Sequence, residues 1–147
     1  MLFRSANALF FYGLVGALTR DEHPVWARMS FGAAEANFTA GARHGVEADL
    51  FWPGLGTVSA GELVLGELLP RAEDGLRSWG VDPAVARHYL AVIEQRCRAR
   101  RTGATWQTEV VAGLERRGAD RRAAMQRMLE LYVDAMETNE PVHTWAV

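Results

Sequence analysis

The sequence predicts a mainly α fold of about six helices with at most a short strand. Three observations carry that expectation. Residues 121–136 place Met125, Met128, Leu129, Tyr132, Val133 and Met136 on one helical face. Helix punctuation recurs: the capping box Ser59-Ala60-Gly61-Glu62, the pair Asp82-Pro83, and glycines at 45, 80, 103 and 118. The 147 residues are 49% hydrophobic and 23% charged, which suits a folded core and excludes a disordered chain.

The first helix is expected over Ala6–Thr19. Leu9, Phe10, Gly13, Leu14 and Ala17 share a face, but Phe11, Val15 and Leu18 are apolar too. A helix apolar all round is buried or needs a partner surface. The stretch is too short to span a bilayer, which takes about 20 residues, so no membrane role is expected. The second helix follows Asp21-Glu22-His23, takes Pro24 at its first position and runs to Arg43, with Gly45 as its C-cap. It carries Phe31 and Phe38 one heptad apart, and a polar stripe of Ser30, Asn37, Gly41 and His44. Such a stripe faces either a cleft or a close helix crossing permitted by small residues.

Val46–Trp52 reads as a short extended segment, and Pro53-Gly54-Leu55-Gly56 as a loop. The third helix follows the capping box with Leu63, Val64, Leu65, Leu68 and Leu69. Pro70 is expected to kink or break it. The fourth begins at Asp82-Pro83, directs Val85, Tyr89, Val92, Ile93 and Cys97 inward, and ends in an Arg-rich turn. The fifth, Ala104–Arg117, buries Trp106, Val110 and Leu114. The sixth starts at Asp120 and stops at Asn139-Glu140-Pro141.

All 16 basic residues are Arg. Without Lys this chain cannot build a P-loop, a protein-kinase site or a Schiff base. The lone Cys97 allows no internal disulfide or Cys-based zinc site, and suits a reducing, cytoplasmic setting. His23, His44, His88 and His143 never fall at metal-pair spacing. No G-x-S-x-G elbow or G-x-G-x-x-G loop occurs. The run Arg96–Arg101 reads as a solvated helix end offsetting the helix dipole. With a net charge of −2, nucleic-acid binding is not expected.

Asn37-Phe38-Thr39-Ala40-Gly41-Ala42-Arg43-His44-Gly45-Val46-Glu47-Ala48 resembles the N-x-x-x-A-x-R-x-G-[LIV]-x-A stretch of glutamate–cysteine ligases, members of the carboxylate–amine ligase branch, with Gly41 at the position of its first alanine. Three further segments look like that family in the same order: Ala6–Leu14, Gly103-Ala104-Thr105-Trp106-Gln107, and Asn139–Trp145. The resemblance implies a glutamine-synthetase-like α+β catalytic domain. ATP and Mg2+ there activate the glutamate γ-carboxylate as an acyl phosphate, which the cysteine amine attacks. It further implies that this chain is the C-terminal helical portion, inactive by itself, with the metal-binding acids upstream. Met1-Leu2-Phe3-Arg4-Ser5 reads as a non-native leader, since Leu-Phe-Arg-Ser is the translation of a common sequencing-adapter end.

Within residues 6–147 the substrate- or nucleotide-binding candidates are Arg43, Asn37 and His44, in that order. Arg43 offers a guanidinium fork for a carboxylate or phosphate. No metal ligand is expected here. A piece of a catalytic domain exposes apolar surface, so self-association through the first helix is expected. The alternative is a non-catalytic helical module that binds a partner protein through that helix.

Overall fold

The computed structural model describes residues 2–146. The fold is mainly helical, with one two-stranded antiparallel sheet among the described residues. The chain divides into two compact units, a larger one of residues 4–100 and a smaller one that takes in residues 101–146 together with Leu2 and Phe3. Of the expected leader, Met1 lies outside the described residues, and Leu2 already belongs to the first helix.

α1 (Leu2–Leu18) lies in the larger unit from Arg4 onward and buries Ala6, Phe10 and Leu14. Its opposite side leaves Phe11, Tyr12 and Val15 more than half exposed. A short α2 (Val25–Arg28) precedes α3 (Phe31–His44). The single helix expected over Pro24–Arg43 is therefore two. Met29 and Ser30 are extended, and the Ser30 hydroxyl accepts the Ala33 N–H at 3.1 Å. A serine that caps a helix start competes with one that continues a helix, and here the cap wins.

After a 3-10 turn at Gly45–Glu47, β1 (Asp49–Trp52) and β2 (Gly56–Ser59) form a hairpin with Asp49 opposite Ser59 and Trp52 opposite Gly56. The turn needs positive φ at Gly54 and Gly56, at +90° and +73°. The expected capping box is present: Ser59 Oγ accepts from the Glu62 N–H at 3.2 Å, and Glu62 Oε2 accepts from the Ser59 backbone N–H at 3.3 Å and from the Ser59 hydroxyl at 2.8 Å. The Ser59 hydroxyl, and after it the Ser59 backbone N–H, hold the Glu62 carboxyl below its usual pKa.

The helix that follows, α4, runs as three joined segments: Ala60–Leu63, a π turn at Val64–Leu68, and Leu69–Ser78. Pro70 does not break it. The Leu69 N–H reaches back to the Val64 carbonyl. This wider turn places the proline at the start of the next segment, where its missing N–H is tolerated. α4 buries Leu63, Ala72 and Leu76.

α5 (Pro83–Arg98) is capped by Asp82, whose carboxylate accepts from Ala84 and Val85. Its inward residues are Ala86, Leu90, Val92 and Ile93. Of the expected set, Val85 is exposed, and Tyr89 and Cys97 are half-buried. The buried stripe follows Ala86, Leu90 and Ile93, with Tyr89 at its margin; Val85, one heptad before the buried Val92, lies in the first turn of the helix and is exposed.

The smaller unit pairs α6 (Gly103–Arg116) with α7 (Arg121–Thr138), closed by a 3-10 turn at Val142–Thr144. Trp106, Val110, Val111, Ala124, Met128, Val142 and Trp145 make its core. The inward face of α7 differs from the expected one. Met128 is buried and Tyr132 partly so, but Met125, Leu129, Val133 and Met136 face solvent. Both faces of α7 are apolar, so periodicity alone does not choose between them. The bulky indoles of Trp106 and Trp145 select the side bearing Ala124 and Ala135. No helix among the described residues is long and apolar enough to cross a membrane.

Candidate binding face on α3

α3 has no buried residue. Phe31 and Phe38 are 84% and 78% exposed, values that leave two phenyl rings nearly wholly in water. A Cβ added at Gly32 or Gly41 would meet nothing within 4 Å. The polar stripe is therefore not a helix crossing among the described residues. The glycine-mediated approach lies elsewhere, where Gly13 of α1 meets Ala72 and Gly75 of α4.

Asn37 faces the hairpin. Its Nδ2 donates to the Phe51 carbonyl and its Oδ1 accepts the Phe51 N–H, both at 2.8 Å. The side chain thus completes the free edge of β1 as another strand would, and fixes β1 against α3. This makes Asn37 a positioning residue. Asn37→Asp should loosen the hairpin more than its small change in shape suggests, because a carboxylate would confront the Phe51 carbonyl. We expect a loss of about 1–3 kcal/mol by denaturant unfolding, and an unchanged midpoint would refute the tether.

Arg43 and His44 come together on another part of the helix. They line an open hollow of about 460 Å³ with Gly32, Glu35, Ala36, Thr39 and Ala40. Arg43 is exposed and forms no ion pair among the described residues. It stands in the last turn of α3, where the helix dipole favours a cation. Its fork is available for a carboxylate or phosphate. His44 is exposed beside it.

The Arg96–Arg101 run does not form a cluster. In the larger unit Arg96 is half-buried and donates to Asn7 Oδ1 at 3.1 Å, Arg98 pairs with Glu94 at 2.8 Å and Arg100 with Glu47 at 3.3 Å. In the smaller unit Arg101 pairs with Glu109 at 3.6 Å. Burial lowers the Arg96 pKa and raises that of the half-buried Cys97 thiol, which disfavours a reactive thiolate.

No group of three or more His, Cys, Asp or Glu side chains among the described residues is placed to hold a metal ion. The α3 hollow carries one carboxylate, Glu35, and one guanidinium, Arg43. That set fits an anion and does not fit Mg2+, so no step through a metal is derived for this chain. Comparison with protein-family models, with curated proteins and with solved structures finds no match to this chain.

What sequence reasoning missed is the outward stripe of α7. A signal for it lies in the charges of that helix, which run against its dipole: Arg121 and Arg122 at the start, Asp134 and Glu137 toward the end.

Proposed function

We propose that this chain is the C-terminal helical part of an ATP-dependent carboxylate–amine ligase that joins the glutamate γ-carboxylate to the cysteine amine through an acyl phosphate. The observation that carries this reading is the segment Asn37–Ala48, which keeps the Asn, Arg, Gly and final Ala of the ligase stretch at the same spacing, with Gly41 in place of its first alanine; Arg43 stands exposed on α3 with no ion pair among the described residues. Further support comes from the motif order and from the exposed phenyl rings of α3 and the outer side of α1. Exposed apolar side chains of that kind suit contact with more protein.

In this reading ATP supplies the phosphoryl group and Mg2+ offsets its charge; both belong to the parent enzyme, and residues 6–147 alone are inactive. Arg43 binds a substrate or nucleotide anion, Asn37 holds the hairpin in place, and His44 flanks the hollow. In the parent, Arg43→Ala should raise KM for the bound anion or lower kcat by about 100-fold, as loss of a charged bidentate contact does. Steady-state kinetics against glutamate and ATP check this, and wild-type constants would remove Arg43 from the site.

The exposed Phe11, Tyr12 and Val15 of α1 also favour a second reading, a non-catalytic module that binds a partner protein through that face. An in-frame upstream sequence rich in acidic strand motifs favours the ligase; a promoter and ribosome-binding site directly before Met1 favours the module.

A further inference from the structure

α7 packs on its own unit through Ala124, Met128, Leu131, Tyr132 and Ala135. A second apolar stripe, Met125, Leu129, Val133 and Met136, lies on a different side. Its members are 46%, 57%, 55% and 36% exposed, so their own unit covers them only in part. At 100° per residue the four fall within about 80° of arc and span about 16 Å along the axis. That is a narrow seam of the kind two helices share.

The charges along α7 say what covers it. Its first turn holds no acid and its last turn no base. Arg121, Arg122 and Arg127 lie in the first half, and Glu130, Asp134 and Glu137 in the second. This order opposes the helix's own dipole, so it does not serve α7 in isolation. Arg127 is answered by Glu130 at 2.9 Å, and Arg121 by Glu115 at 3.1 Å. Arg122 and Glu137 flank the seam at opposite ends, are exposed, and enter no ion pair among the described residues. A helix that is basic at its start and acidic at its end is complementary to itself when turned round. The two-fold axis of such a pair would cross the middle of the stripe, with Met125 of one copy near Met136 of the other.

We propose that α7 pairs antiparallel with α7 of a second copy of this chain, sealing the Met125–Met136 stripe and setting Arg122 of each copy against Glu137 of the other. The interface is isologous and closes at two copies. Four apolar side chains per copy make a small contact, so the dimer is weak and concentration-dependent. It does not rest on the ligase reading, because α7 carries none of Asn37, Arg43 or His44.

Sedimentation equilibrium on the full chain tests it, with charge exchange as the discriminating step. The wild-type chain should show a reversible monomer–dimer equilibrium. Arg122→Glu or Glu137→Arg alone should weaken dimerisation about tenfold, because each creates two like-charge pairs across the axis. The double variant Arg122→Glu with Glu137→Arg should restore it. Leu129→Glu should abolish it. These positions are exposed, and an unchanged circular dichroism spectrum confirms that each variant folds. A monomer at every concentration overturns the proposal. So does a dimer indifferent to the single exchanges, as association through α1 would be, or a double variant no tighter than the single ones.

Discussion

Trp106→Ala is expected to cost the smaller unit about 3–5 kcal/mol, the range for truncating a fully buried large aromatic. Trp106 is 2% exposed. Its ring meets Trp145 edge-on at 5.3 Å and lies 6.2 Å from Tyr132, which in turn meets Trp145 at 5.6 Å. Its indole N–H donates to the Ala146 carbonyl at 2.8 Å and so ties the C-terminal segment to α6. Trp145 repeats the device, donating to the Glu140 carbonyl at 2.9 Å. Alanine would remove the ring contacts and the tether together, and the void would sit between α6, α7 and the 3-10 turn. Trp106→Phe keeps most of the apolar area and deletes only the donor, so it should cost less, about 1–2 kcal/mol. Hydrogen exchange resolves the effect by segment: protection should fall first within residues 103–145. Uniform protection in Trp106→Ala would show that these aromatics do not hold the unit together.

The second large effect is expected at Gly75. A Cβ there would fall inside the contact distance of the Gly13 carbonyl oxygen, and would stand 2.8 Å from the Ala17 nitrogen. Both are backbone atoms of α1, so no side-chain rotation relieves the overlap. Gly75→Ala must push α1 away from α4, and α1 supplies Ala6, Phe10 and Leu14 to the core. We expect a loss of about 3 kcal/mol, at the upper end of overpacking costs. That exceeds the roughly 1 kcal/mol alanine gains over glycine in helix propensity. Gly66→Ala is the control, because it is helical and a Cβ added there would meet nothing within 4 Å. It should be neutral or stabilising. Thermal unfolding of both variants decides the matter, and a Gly75→Ala protein as stable as wild type would contradict the close approach.

Much of the fold is legible in local chemistry. The N-caps at Ser59, Asp82 and Asp120 act as their residue types suggest. Asn139 ends α7 in the left-handed conformation. Where sequence and structure differ, the cause is either a competing local bond or packing beyond the local pattern. Helical spacing sets Ser30 in a stripe with Asn37, yet its hydroxyl caps α3. Pro70 signals a break, yet a π turn just before it absorbs the proline. Periodicity sends Met125, Leu129, Val133 and Met136 inside because α7 is apolar on two sides, and only the bulk of Trp106 and Trp145 decides which side packs.

The candidate site is legible to a similar extent. The sequence puts Asn37, Arg43 and His44 on one helix, and α3 carries all three. What it does not reveal is the division of labour. Asn37 is six residues from Arg43, a separation that turns the two about 120° apart on a helix. One therefore meets the hairpin while the other lines the hollow. The hairpin partner lies 14 residues away in sequence, beyond the reach of any periodicity argument.

The most direct measurement of the proposed function is ATP- and glutamate-dependent formation of γ-glutamylcysteine. It is made on the 147-residue chain and on the protein encoded when the in-frame upstream sequence is included. If the chain is the helical part of such a ligase, the longer protein turns over, Arg43→Ala impairs it, and the 147-residue chain gives only background. Turnover at ordinary enzyme rates by the 147 residues alone, or a longer protein with no ATP-dependent ligation, would contradict it.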